Sequence, residues 1–67
     1  MTTAPPGAIR VYLVDDHELV RRGLRQLLDG EPDIEVIGES ATAAEATSRI
    51  PALTPHVALV DLRLSDG

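Results

Sequence analysis

Apolar residues fall along this chain in short blocks, and the spacing within the blocks is of two kinds. Ile9 to Val14 reads Ile-Arg-Val-Tyr-Leu-Val, a β-branched and aromatic run that predicts a strand. It is largely apolar on both faces, as a central strand of a parallel sheet is. Asp15-Asp16 ends it. From about His17 to Leu28 the spacing changes. Val20, Leu24, Leu27 and Leu28 stand at i, i+4, i+7 and i+8, which is one stripe of a helix. Arg21, Arg22, Arg25 and Gln26 mostly face away from it, predicting a solvated basic face. Asp29-Gly30 supplies a stop, with glycine free to turn left-handed, and Pro32 prevents continuation.

Ile34 to Glu39 predicts a second strand, and its two glutamates suit a sheet edge. Thr42-Ala43-Ala44-Glu45 fits the capping-box pattern and opens a second helix. Ala43, Ala46, Thr47 and Ile50 form its inner side, and the alanines predict close packing on the sheet. Pro51 and Pro55 are expected to fray or end it. His56 to Asp61 is another continuous apolar run, the third strand, with His56 a loop residue at its start. Leu62 to Gly67 reads as a loop, and residues 1–8 as a flexible tail. The order is β-α-β-α-β. Right-handed crossovers make the strands parallel, with helices covering the sheet. All strand C-termini then share one edge, where ligands of open α/β sheets bind.

Composition narrows the classes. Tyr12 is the one aromatic residue and no cysteine is present, so the core is aliphatic and no disulfide or thiolate metal site forms. Six basic and eleven acidic residues give a net charge of −5, which disfavours contact with a nucleic-acid backbone. No apolar run is long enough to span a membrane. The opening residues have neither a basic nor an apolar region of a secretory signal, so the expected location is the cytoplasm.

Three carboxylates reach the ligand edge from distant places. Asp15 and Asp16 leave the first strand, and Asp61 ends the third. Neighbouring strands lie roughly 4.8 Å apart, so these groups can converge. Converged carboxylates repel one another. Mg²⁺ resolves the repulsion, since it takes one or two carboxylates, keeps waters and accepts phosphate oxygens. Such a site suits phosphoryl transfer, with Asp61 as a nucleophile forming an aspartyl phosphate. Blander readings stand beside this one. Asp-Asp before a helix is often an N-cap, and Asp after a strand is often a turn former. His17 is expected to lie exposed in the first helical turn, and no second ligand-spaced His or Cys supports zinc.

Val14 to Leu28 and Val60 to Gly67, two motifs in order and at the right separation, resemble the receiver domains of two-component response regulators. The likeness is greatest to the NarL/FixJ-type (LuxR-like) subfamily, and it covers residues 9–67. It implies a flavodoxin-like doubly wound parallel sheet, truncated after the third strand, with strand order 2-1-3. It also implies roles. Asp61 would accept a phosphoryl group from a sensor histidine kinase. Asp16 would bind Mg²⁺ directly, and Asp15 through water or at one remove. The backbone carbonyl of Arg63 would complete the protein ligands, and Gly67 matches a loop glycine. Ser65 departs from the family's usual proline.

The family's fourth-strand Ser/Thr and fifth-strand Lys have no counterpart in this sequence, nor does a helix-turn-helix output domain. The resemblance therefore implies a fragment of a longer regulator, with no independent turnover and with DNA contact made only through an output domain. A haloacid-dehalogenase-like site would need a second Asp where Arg63 stands, and no Gly-x-Gly-x-x-Gly follows the first strand. The remaining rival is an inert fragment that self-associates. Val57 to Val60 form an apolar strand with an open edge, so a homo-oligomer through that edge or the sheet faces is expected.

Overall fold

A computed structural model describes residues 7–61 of the chain. Its elements are β1 (Ile9–Val14), α1 (Glu18–Asp29), β2 (Ile34–Ser40), α2 (Ala43–Leu53) and β3 (Val57–Val60). The strands form one sheet in the order β2-β1-β3, with both pairings parallel. This is the 2-1-3 order of a flavodoxin-like sheet. The loop expected over residues 62–67 and most of the expected tail lie outside the described residues.

β1 supplies most of the core, because among the described residues it alone has a strand on each side. Val11, Tyr12, Leu13 and Val14 are all at most 4% exposed. Tyr12 and Val14 pack on Ala46, with Ile50 and Leu53 of α2 against them. Strand alternation sends Val11 and Leu13 to the other face. The β1-to-β2 and β2-to-β3 crossovers run across the sheet in opposite directions, so right-handedness puts α1 on that other face.

β2 carries an irregularity that its sequence does not announce. Val11 pairs with Val36 and Tyr12 with Gly38, so Ile37 is the extra residue of a bulge. The Tyr12 ring lies over Gly38, where a Cβ would stand 2.8 Å from Cε2 of the ring and 3.2 Å from Leu53. The buried Tyr12 hydroxyl hydrogen-bonds the Ser40 hydroxyl, and the Arg49 guanidinium sits 5.9 Å from the ring centroid. The phenol thus has both an apolar site and a partner for its polar end.

The helix boundaries need two corrections. Thr42 caps α2 as expected, its hydroxyl accepting from Glu45 N–H at 3.1 Å. Pro51, however, lies inside α2, which runs on to Leu53. In the last turn its missing N–H forfeits one bond, to the Thr47 carbonyl, while Thr54 N–H still donates to Ile50 O at 2.8 Å. The left-handed residue is Thr54, at φ 46°, whereas Gly30 stays right-handed at φ −75°. Arg10 holds this strained end, donating to Leu53 O at 2.7 Å and to Thr54 O at 3.4 Å.

The apolar stripe of α1 is not a buried stripe. Leu24 and Leu28 are half-buried, but Val20 is 50% and Leu27 73% exposed. The helix is turned so that Arg21 faces β2, its side chain only 14% exposed. Its guanidinium and that of Arg25 both bind Glu39. The predicted solvated basic face therefore holds for Arg22, which pairs with Glu18, and fails for Arg21.

β3 is also more open than its sequence suggests. Among the described residues neither helix comes within 8 Å of it, Cα to Cα, so Val57, Leu59 and Val60 are 42 to 51% exposed. An open apolar hollow of about 420 Å³ lies between α2 and β3, lined by Val14, Ala46, Ile50, Pro51 and Val60 among others. His56 precedes the strand as expected. It extends the β1–β3 contact: its N–H donates to Arg10 O at 2.8 Å, and its Nδ1 accepts from Arg10 N–H at 2.9 Å. Among the described residues no helix is long and apolar enough to cross a membrane.

Candidate functional site

The site follows from the register of β1 and β3. Val14 pairs with Val60, and one step further Asp61 N–H donates to Val14 O at 2.9 Å. Asp61 therefore leaves β3 beside the residues that leave β1. One oxygen each of Asp15, Asp16 and Asp61, with one nitrogen of His17, all lie within 4.8 Å of one another. The three carboxylates singled out in the sequence are brought together. Arg63, whose carbonyl was expected to complete the set, lies outside the described residues.

Each carboxylate has a different setting. Asp15 is 7% exposed, and its Oδ1 accepts the His17 N–H at 2.8 Å. That backbone hydrogen bond holds its carboxyl below the usual value; burial opposes it, and the His17 ring and Asp61 add to it. Asp16 is not the helix cap, since His17 holds that position and makes no side-chain cap bond. Asp16 Oδ1 is buried and accepts no hydrogen bond, although His17 Nδ1 lies 3.0 Å away. The N-cap reading of the Asp-Asp pair thus fails for Asp16. The Asp61 side chain is 17% exposed.

His17 was expected to lie exposed in the first helical turn. Its side chain is 58% exposed, yet Nδ1 lies 3.1, 3.0 and 3.4 Å from oxygens of Asp15, Asp16 and Asp61. The one-residue separation from Asp16 was the signal for this contact. The hydrogen bond with Asp15 raises the imidazole pKa above its usual 6.5; the charges of Asp16, Asp15 and Asp61 add to this, and burial opposes it. A raised folded pKa means that the folded state binds this proton more tightly than the unfolded state. Its stabilisation is therefore full below about pH 6.5 and fades as pH rises through the folded value. In metal-free buffer the thermal midpoint should be higher at pH 6 than at pH 8.5, and His17→Gln should remove most of that difference. Equal slopes for both proteins in a melting series would refute the assignment.

A hard divalent cation fits these residues. The donors are carboxylate oxygens, and a buried one of them, Asp16 Oδ1, accepts no hydrogen bond, the His17 ring 3.0 Å away being positive only when protonated. An adjacent strand end can hold a nucleophilic carboxylate rigidly beside such an ion.

A parallel α/β sheet of order 2-1-3, with a convergent acidic cluster at the C-terminal edge of its central strands, matches the first half of a flavodoxin-like fold. Comparison with known proteins specifies the class. Residues 11–67 match the response regulator receiver domain family, and the chain belongs to it. It is 54% identical over 59 residues to the DNA-binding transcriptional activator DevR/DosR of Mycobacterium tuberculosis, covering 88% of this chain and 27% of that protein. It is 52% identical over 54 residues to the transcriptional regulatory protein LiaR of Bacillus subtilis, covering 81% of this chain and 26% of that one. The signal receiver domain of a response regulator designated NarL, from Mycobacterium tuberculosis, superposes with a TM-score of 0.84 at 38% identity, over 90% of this chain and 48% of that one. The chain thus spans about a quarter of the length of these curated relatives.

Proposed function

We propose that this chain is the phosphoacceptor segment of a two-component transcriptional regulator, with Asp61 taking the phosphoryl group of a sensor kinase's phosphohistidine. The observation that carries the reading is the convergence of Asp15, Asp16 and Asp61 from two neighbouring strand ends. An Asp61 carboxylate oxygen bonds to phosphorus as the phosphorus–nitrogen bond to the histidine breaks, and the departing imidazole takes up a proton. Mg²⁺, held by Asp16, Asp61 and the Arg63 carbonyl, with Asp15 through water, would neutralise charge on the transferring group. The backbone bond from Asp61 to Val14 keeps the nucleophile fixed at the strand end. The segment accepts a group and has no turnover of its own. The reading places it in the cytoplasm, where its kinase's catalytic part resides, and assigns DNA contact to an output domain.

Incubation with a small phosphodonor and Mg²⁺, followed by intact mass, tests this. The expected result is a gain of one phosphoryl group that EDTA prevents. No gain at any donor concentration would reject it.

A second reading is favoured by β3. Its four residues are exposed, and among the described residues it pairs with β1 alone. An apolar strand with a free edge is a template for a second copy. On this reading the chain self-associates through β3, and sedimentation should show a dimer or larger species. A cooperatively folded monomer at all concentrations would exclude it.

A further inference from the structure

We propose that Arg21 is a positioning residue for the acidic pair, aiming Asp16 by holding the backbone carbonyl of Asp15. The inference rests on the reading of this site as a divalent-cation site.

Three residues, Asp15 to His17, join β1 to α1. Two bonds fix Asp15 itself: its N–H donates to Ser40 O at 3.1 Å, and its Oδ1 accepts from His17 N–H at 2.8 Å. Asp16 Oδ1 accepts no hydrogen bond, and its near neighbour at 3.0 Å is the exposed ring of His17, which pairs with it only when protonated. The backbone that carries Asp16 is therefore a main determinant of the direction of its side chain. The peptide plane between Asp15 and Asp16 is the near end of that backbone. Its carbonyl oxygen accepts from Arg21 Nη1 at 2.7 Å.

Arg21 is itself held. Its Nε donates to Glu39 Oε1 at 3.0 Å, and Glu39 Oε2 accepts from Arg25 Nη1 at 2.5 Å. These two arginines, Arg25 first, hold the Glu39 carboxyl below its usual pKa, so it stays charged at neutral pH. A connected path runs from α1 through the end of β2 to the turn that carries the acidic pair. A planar guanidinium can donate to a carboxylate and to a carbonyl in two fixed directions at once. An ammonium on a flexible stem cannot reproduce that fork.

Isotope-labelled chain, with Arg21→Lys and Arg21→Ala variants, gives two readouts by NMR. One is the Mg²⁺ titration. The other, taken without metal, is amide hydrogen exchange at His17, whose N–H closes the turn onto Asp15. Outer partners of metal ligands typically cost about 10–100-fold in affinity when lost. Both variants are expected to weaken Mg²⁺ binding by about that factor. The His17 amide should lose protection while the Tyr12 and Leu13 amides keep theirs. Arg21→Lys retains the charge and most of the stem, so it decides the matter if Arg21→Ala unfolds. Wild-type Mg²⁺ affinity and wild-type His17 protection in Arg21→Lys would overturn the proposal. So would loss of protection spread equally over β1, which marks a merely structural role. If the unaltered chain binds no Mg²⁺, the cation reading of the site fails, and with it the positioning of a metal ligand, whatever the His17 amide does.

Discussion

Asp61→Asn is expected to abolish phosphoryl uptake while leaving the fold intact. The amide side chain is nearly isosteric and leaves the backbone bond from residue 61 to Val14 in place. What it removes is the anionic oxygen that attacks phosphorus. It also removes one of three carboxylates whose oxygens lie within 4.8 Å of one another, and close like charges oppose ionisation and folding. The thermal midpoint in metal-free buffer should therefore hold or rise as activity disappears. Intact mass after phosphodonor treatment, paired with a melting curve, reads both. A phosphoryl gain of wild-type size in Asp61→Asn would remove Asp61 from its assigned role.

Gly38→Val should be the most damaging single change to stability. Even one methyl at this position would stand 2.8 and 3.1 Å from two carbons of the Tyr12 ring. The ring is fully buried, and its hydroxyl is tied to Ser40, so it has nowhere to retreat. Overpacking of this kind costs about 1–3 kcal/mol for small additions, and a core this small rarely supplies more than roughly 3–5 kcal/mol in all. Gly38→Ala should lower the urea midpoint markedly, and Gly38→Val should leave much of the chain unfolded. Because the clash is with the ring, the cost of Gly38→Ala should shrink in a Tyr12→Leu background, a coupling that a double-mutant cycle reads directly. Additive costs would show that the ring is not the obstacle.

The five elements were legible because each has its own hydrophobic period. β1 was readable to the residue, and Thr42 announced α2 through its capping pattern. The misreadings share a cause. The stripe of Val20, Leu24, Leu27 and Leu28 identified a helix correctly. It did not say which part of the stripe meets the sheet, because that depends on a charge pairing with Glu39, on a different element. Pro51, with Pro55, was read as fraying or ending the helix because local rules count the missing bond and not the packing of Ile50 and Leu53 on Tyr12. The left-handed turn at Thr54 depends on Arg10 (more than forty residues earlier in the chain) to hold the helix end.

The candidate site divides in the same way. The sequence alone determined that three carboxylates stand at strand ends, and that an Asp-Asp turn and a later strand-end Asp belong to one kind of domain. Strand period suffices for the first, since it is local, and the second rests on the resemblance of Val14 to Leu28 and Val60 to Gly67 to receiver domains. Only the tertiary structure decided what surrounds Asp61. The β1–β3 register sets it beside Asp15 and Asp16, the imidazole of His17 comes within reach of all three, and Asp16 Oδ1 is buried without a hydrogen bond, 3.0 Å from that ring. The contacts of Asp61 join residues far apart in sequence, and no period along the chain encodes them, whereas those of His17 with Asp15 and Asp16 are local.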